Sequence, residues 1–385
     1  MLRAVAAAEA VRGRTSPNPW VGAVVVPPAA GPVGDDGTHD DGTGPGGAGG
    51  GAGDGDPGGD VGPGPDVGLD VDDPGWFIGA TAPPGGPHAE VTALAAAGDY
   101  AELATLYVTL EPCAHQGRTP PCTEAIIASG VRRVVVGVED PDPRVAGRGI
   151  ATLRQAGIEV EVGVGATSVA EQLAAYLHHR RTGRPWVVLK LAATLDGRTA
   201  APDGTSQWIT GEEARADAHR LRARSDAVLV GAGTVRADDP TLTVRLPEGD
   251  PDHRTPEEQP LRVVLGRAPE GAAVLPALEM GGDLGDVLDD LGARGVLQLL
   301  VEGGAGVAHT FHAAGLVDRY VLYLAPALFG GDDARPLFAG PGAPTLGGLW
   351  RGTVRSATSL GGDLRVELTR PSMVRETRLD AVLDG

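Results

Sequence analysis

The chain has 385 residues, 42% of them hydrophobic, which at about 100–200 residues per domain sets an expectation of two domains. Its net charge is −19, and residues 27–75 alone hold 11 Asp with no Glu, Lys or Arg. That balance excludes a polynucleotide-binding surface, which needs clustered Lys or Arg, and no apolar run approaches the ~18–20 residues of a membrane span.

Residues 2–13 read as a helix, the Pro17- and Pro19-containing segment 15–19 as a loop, and 21–26 as a short buried strand. Residues 27–75 form a low-complexity insertion of Gly, Asp and Pro with almost nothing to bury, so disorder is expected over 31–75, within a hairpin turn. Strands are then expected at 76–80, 105–110, 133–138 and 158–162. Helices are expected at 89–97, 121–129 and 147–156, with a connecting helix over 167–183 stopped by Gly183. The alternation restarts at Pro185. Strands are expected at 186–193, 226–231, 261–265, 297–301, 319–324, 353–358 and 363–369, and helices at 211–224, 284–294 and 305–314. Thr210 is the expected N-cap of the first of these helices, and 266–283 is left unplaced. The division reads as 1–183 and 184–385, in an α/β protein. The start of the chain does not read as a secretory signal, so a cytoplasmic protein is expected.

His88-Ala89-Glu90 opens a helix, and Glu111-Pro112-Cys113 and Cys122 follow a strand. A catalytic zinc ion takes three protein ligands and keeps a fourth position for water; His88, Cys113 and Cys122 supply three. Glu90 lies in the same first turn as His88, within reach of the water without being a ligand. That is the arrangement of a zinc deaminase, with Glu90 as the catalytic proton carrier. A structural zinc would want a fourth ligand, for which His115 is the nearby candidate.

In the second half, a buried strand delivers Lys190, the only lysine of the chain, ahead of a polar loop with Trp208. Two glycine-rich strand-to-helix turns, Gly231-Ala232-Gly233-Thr234 and Glu302-Gly303-Gly304-Ala305-Gly306, let backbone N–H groups approach an anion. With Arg222 and Arg245 nearby in sequence, they point to a phosphorylated ligand.

These segments carry a resemblance. His88-Ala89-Glu90 with Glu111 to Cys122, Thr15 to Pro19, Asp140-Pro141-Asp142-Pro143 and Val145 to Gly149 resembles the riboflavin-biosynthesis branch of the cytidine deaminase superfamily. The eight residues between the cysteines, ending Thr-Pro-Pro-Cys, are specific to that branch. Lys190 to Ala200, Ser206 to Thr210, Leu221 to Ala223, Ala237 to Arg245 and Val301 to Gly304 are similar to the reductase of the same pathway. The resemblance implies a cytidine-deaminase-like N-terminal domain and a dihydrofolate-reductase-like C-terminal domain in a bifunctional enzyme; a homo-oligomer is expected. It implies Zn2+ and NADPH as cofactors and a small phosphorylated pyrimidine as substrate. Asn18 would bond the pyrimidine, and the 113–122 loop would hold its ribose phosphate. Ala192, Trp208, Thr234, Asp238 and the run Gly304, Ala305, Gly306, Val307, Ala308, His309, Thr310 would contact NADPH. Ser206, Arg222, Leu242, Arg245 and Glu302 would contact the substrate, with Ser206 and the arginines on its phosphate. Proton handling in the reductase is left open among Lys190, Asp238 and Glu302. Departures from the family are Ala114 for Ser, Ala80-Thr81 for Tyr-His and Ala305-Gly306 for Pro-Thr. Ala114, Thr81 and the insertion keep a second reading in play, a reductase with an impaired zinc-binding deaminase half.

Overall fold

The computed structural model describes residues 1–28, 75–117 and 119–370. The disorder expected over 31–75 therefore falls, but for Gly75, outside the described residues.

The first half builds a five-stranded sheet. Its strands are β1 (Gly22–Val26), β2 (Phe77–Ala80), β3 (Thr105–Leu110), β4 (Arg133–Val138) and β5 (Glu159–Val162), in the order β2-β1-β3-β4-β5. β1 runs antiparallel to both neighbours, with Gly22 opposite Ala80 and Val25 opposite Phe77, so β1 and β2 are adjacent despite the long insertion between them. β3, β4 and β5 are parallel. Valine-rich strands bury both faces under helices, as a sheet covered on both sides requires. Those helices are α1 (Leu2–Ala10), α2 (Ala89–Ala97), α3 (Cys122–Ala128), α4 (Arg148–Gln155) and α5 (Ala166–Gln172). The single connecting helix expected over 167–183 is in fact two. Leu173, fully buried, leaves helical geometry between α5 and α6 (Ala174–Thr182), and α6 ends at Gly183 in the left-handed region as expected.

The second half adds β6 (Trp186–Thr194), β7 (Arg198–Ala200), α7 (Glu212–Ala223), β8 (Ala227–Gly231), α8 (Ala232–Asp238), β9 (Leu261–Leu265) and β10 (Leu278–Met280). Then come α9 (Leu284–Ala293), β11 (Gln298–Val301), α10 (Ala305–Ala313), β12 (Arg319–Ala325), β13 (Arg335–Pro336), β14 (Thr353–Leu360) and β15 (Asp363–Thr369). An eight-stranded sheet runs β10-β9-β8-β11-β6-β12-β15-β14, with β15 and β14 antiparallel, and β7 pairs with β13 apart from it. The unplaced stretch 266–283 holds β10, which lies parallel to β9. Gly211, not Thr210, is the N-cap of α7; its N–H donates to Asp363 Oδ2 at 2.6 Å, so a β15 carboxylate replaces the expected local cap.

Candidate active sites

In the first half, each chemical group stands at an element end. His88 is the N-cap of α2 in extended geometry, which places Glu90 in the first helical turn. Cys113 leaves β3 two residues after Glu111, and Cys122 begins α3, with Pro121 as its N-cap instead of the expected first helical residue. His88 Nδ1 lies 3.1 Å from Cys122 Sγ and 3.6 Å from Cys113 Sγ, and all three donor atoms lie within 4.8 Å of one another. Tetrahedral zinc with bonds of ~2.0–2.3 Å needs ligand atoms roughly 3.3–3.8 Å apart, so the donor set fits that ion. The cysteines are free thiols. His115 lines the same cavity but is not part of the three-residue cluster, so the position a structural zinc would fill with a fourth side chain is left open.

The closeness of these groups shifts their protonation. Cys113 is brought down to about 4, first by its hydrogen bond with Cys122 and then by that with His88, with burial opposing. The same bond and burial push Cys122 up. Glu90 is 4% exposed, and burial followed by the charge on Cys113 raises it to about 7.

The segment before Cys113 is fixed by Glu111. Its carboxylate accepts from the backbone N–H groups of Asp140 (3.2 Å), Gly147 (3.0 Å), Gly149 (2.9 Å) and Ile150 (3.2 Å), tying the end of β3 to the start of α4. A cavity of about 130 Å³ opens beside the cluster, and Asn18 lines it. Sequence reading gave no role to Asp140, Asp142, Arg144, Tyr176 or Arg180, which also face it. Asp140 Oδ2 accepts from the Tyr176 hydroxyl at 2.9 Å, while Asp142 takes a two-point bond from Arg144 (3.0 and 2.7 Å). The Asp-Pro-Asp-Pro run directly after β4 was the available signal, because ligand sites gather at the carboxyl ends of parallel strands. Tyr176 on α6 carried none. Thr81 uses its hydroxyl on the backbone of Val21, accepting at 3.1 Å and donating at 3.4 Å.

The second half holds a larger cavity, about 580 Å³, against the middle of β6 and beyond the end of β11. Ala192, Ser206, Trp208, Arg222, Asp238, Leu242, Arg245, Glu302, Gly304, Ala305 and Lys190 all line it. Thr234 stands behind that wall, its Oγ1 accepting the Gly304 N–H at 3.1 Å. Gly306, Val307, Ala308, His309 and Thr310 are not in the wall. Ala308 is fully buried in the core, and Thr310 donates its hydroxyl to Gly306 O within α10. What α10 presents is its N-terminus, capped by Gly304 with no side-chain bond, so its first N–H groups stay available to an anion. Gly303 is bare for a reason: a Cβ there would sit 2.5 Å from Val307 Cβ. The open turn, the uncapped helix and the cavity's size fit a dinucleotide such as NADPH.

Inside the cavity, Arg222 donates from Nε and Nη2 to the two oxygens of Glu302, at 2.6 and 2.9 Å, and from Nη1 to Thr243 O at 3.1 Å. Burial works against the Glu302 charge, but Arg222, with help from Lys190, holds the carboxyl at about 2. Lys190 is lowered by burial and sits 5.7 Å from the Tyr323 ring. Arg222 thus stands against Glu302, while the exposed Arg245 donates to Thr241 Oγ1. Trp208 is 68% exposed beneath the Arg215 guanidinium, which makes it a cavity rim and not a core residue. His219 went unnoticed in the sequence, yet it lines this cavity and accepts the Arg245 N–H on Nδ1 at 3.2 Å. Its spacing of three from Arg222 on α7 was the available cue.

Residues 1–138 match the model of the cytidine and deoxycytidylate deaminase zinc-binding region, and residues 185–364 match that of the RibD C-terminal domain. The chain is 41% identical over 344 residues to riboflavin biosynthesis protein RibD of Escherichia coli (strain K12), covering 80% of this chain and 93% of the relative. It is 46% identical over 284 residues to the RibD protein of Mycobacterium tuberculosis (strain ATCC 25618 / H37Rv), covering 70% and 80%. Among solved structures, Acinetobacter baumannii RibD, form 1, superposes with a TM-score of 0.78 at 34% identity, covering 96% of this chain and 97% of that one. A diaminohydroxyphosphoribosylaminopyrimidine deaminase/5-amino-6-(5-phosphoribosylamino)uracil reductase from Thermotoga maritima gives 0.74 at 32% identity, with coverage of 96% and 97%. With two matched domain models and relatives aligned over most of their length, the chain belongs to the RibD family of riboflavin-biosynthesis proteins.

Proposed function

We propose that the chain hydrolyses the C2 amine of 2,5-diamino-6-(5-phosphoribosylamino)pyrimidin-4(3H)-one at the first site. At the second it reduces the ribosyl side chain of the deaminated product to ribityl. The reading is carried by the His88–Cys113–Cys122 cluster with buried Glu90 beside it, in one chain with a cavity rimmed by an uncapped glycine turn.

At the first site, bound zinc acidifies water and so supplies the nucleophile. His88, Cys113 and Cys122 hold the ion, and Glu90 carries the proton from the attacking water to the departing amine, which leaves as ammonia. A carboxyl raised toward neutrality suits both halves of that transfer. Asn18 orients the pyrimidine, and the 113–122 loop takes the ribose phosphate. A deaminase half that binds zinc without turnover is the weaker reading. The Thr81 hydroxyl is satisfied within the fold, and the full set of ligands and proton carrier is assembled without it.

At the second site, NADPH supplies the hydride delivered to C1′. The N–H groups at the start of α10, with Gly304, Ala305, Thr234, Asp238, Trp208 and Ala192, take the cofactor. Gly306 to Thr310 support that turn from inside the helix. Ser206 and Arg245 hold the substrate phosphate, Leu242 packs on the substrate, and the Arg222–Glu302 pair faces it. Glu302, held at about 2, has no proton to give near neutral pH. That leaves Lys190 and Asp238, both in the cavity wall, and Lys190, lowered by burial, is the group we assign to proton handling as the ribose ring opens.

We place the division between the halves at 183/184, supported by the end of α6 at Gly183 and the start of β6 at Trp186. The two free thiols suit a reducing, cytoplasmic setting. The exposed edge strand β14 supports a homo-oligomer that covers it. Among the described residues, no helix is long and apolar enough to cross a membrane. The deciding experiment measures zinc content and ammonia release from the diaminopyrimidine ribotide, then NADPH oxidation on the deaminated ribotide. Normal ammonia release by Glu90→Gln would overturn the first assignment, and absent NADPH oxidation the second.

A further inference from the structure

The loop 11–20 joins α1 to β1 and carries Asn18 into the wall of the first cavity. Its other side rests on the reductase half, almost residue by residue. Arg254, 4% exposed, donates from Nη2 to Arg12 O at 3.3 Å and to Ala223 O at 2.9 Å. Gly13 passes so close, at φ +77°, that a Cβ would lie 2.4 Å from Ala223 O and 2.9 Å from Arg254 Nη2. Arg12 Nη2 donates to Gln298 Oε1 at 3.1 Å, and Arg14 Nη2 donates to Pro251 O at 2.7 Å. Ser16 lies against Asp226, whose Oδ2 accepts the N–H groups of Leu297 and Gln298 at 2.8 Å each. Two residues further on, the Asn18 N–H donates to Thr15 O at 2.8 Å and Thr15 Oγ1 donates to Asn18 O at 3.1 Å. Thr15 is itself fully buried. The segment from 15 to 18 is therefore a closed turn, so any shift of residues 12–16 is passed on to Asn18.

We infer that Arg254 and Asp226, both in the reductase half, are positioning residues for the deaminase, clamping residues 12–16 so that Asn18 stands at the pyrimidine site. Neither lines the reductase cavity. The inference rests on the reading of Asn18 as a pyrimidine contact. It makes the second half a working part of the first site, beyond its own reaction.

The test uses the full-length, zinc-loaded protein. Arg254→Ala is expected to raise the deaminase KM roughly three- to tenfold, the size of one weakened hydrogen bond, with kcat within about twofold. Zinc content and the reductase kinetics stay as in the parent. Arg254→Lys, which keeps a donor, restores part of the KM, and Asp226→Asn reports on the second contact independently. In an Asn18→Ala background, Arg254→Ala adds nothing further, because both act through the same side chain. If Asn18→Ala raises KM while Arg254→Ala and Asp226→Asn leave it unchanged, the clamp is overturned. If Asn18→Ala itself leaves KM unchanged, the pyrimidine reading of Asn18 falls, and the clamp with it. Loss of zinc and kcat in both reductase-half variants also overturns it, since that is a general effect on the fold and not a displacement of one loop.

Discussion

Arg222 and Glu302 close on each other through two parallel hydrogen bonds at 2.6 and 2.9 Å, with their side chains only 13% and 8% exposed. Such a fork joins α7 to the end of β11, where the glycine turn begins, so it ties the substrate wall to the cofactor wall. Glu302→Gln leaves the Arg222 charge facing an amide. It is expected to lower reductase kcat/KM by at least ~10-fold, as loss of a charge-assisted pair does, and to leave ammonia release unaltered. The pair also sets an acid limit. Because the folded Glu302 is held at about 2, below its ordinary 4.5, its stabilisation is full above that ordinary value and fades as pH falls toward 2. Urea midpoints of parent and variant should converge over that window.

At the first site, Glu90→Gln keeps the shape of the side chain and removes its ability to carry a proton. Ammonia release is expected to fall by roughly 10²- to 10⁴-fold, the usual worth of general acid–base catalysis. Zinc stays bound, because His88, Cys113 and Cys122 are untouched. Stripping the ion with a chelator should abolish deamination and spare NADPH oxidation, and metal analysis alongside both assays checks the two halves separately.

Much of this was legible beforehand, for reasons that can be traced to particular residues. The metal cluster was readable because each member sits beside a boundary signal: Pro87 before His88, Pro112 before Cys113, Pro121 before Cys122. The reductase turns were readable because glycine runs after apolar runs have few other uses. What escaped depends on contacts that span the chain. Tyr176 reaches Asp140 from 36 residues away, and the Gly211 N–H finds a carboxylate 152 residues downstream, displacing the local cap expected at Thr210. Neither Tyr176 nor Asp363 has a pattern of its own. The break at Leu173 was hidden for the opposite reason: a buried leucine looks like any other helical core position, and only its packing ends the helix.

Glu111 offers a sharper test of how the metal site is held. Four backbone N–H groups converge on its carboxylate, all within 3.2 Å, and it is 4% exposed. Removing the carboxylate leaves those donors buried and unpaired, each a loss of about 1–3 kcal/mol where water cannot reach. Glu111→Ala is therefore expected to destabilise the first half by several kcal/mol. Glu111→Gln, which keeps one carbonyl acceptor, should lose less stability but weaken zinc roughly 10- to 100-fold, as mutations behind metal ligands do. A competition titration with a zinc chelator reads that loss, and unchanged affinity in Glu111→Gln would show that Cys113 is placed without it.

His219 makes the reductase half pH-sensitive in a way that neither substrate nor cofactor enters. The imidazole is half-buried, and burial, then Arg222 and Arg245, bring it from 6.5 to about 4, with Glu302 opposing. Its Nδ1 accepts the Arg245 N–H, so the folded state holds the neutral ring. Between those two values the unfolded chain binds a proton that the folded chain refuses. Stability therefore rises with pH across the window, is complete above 6.5, and is progressively lost on acidification toward 4. His219→Gln keeps an acceptor for the Arg245 N–H but has no titrating group. Urea unfolding at pH 7 and pH 4.5 should show a smaller acid-induced drop in the variant than in the parent. An equal drop in both would mean that the ring already takes up its proton in the folded state, and that the two arginines do not exclude it.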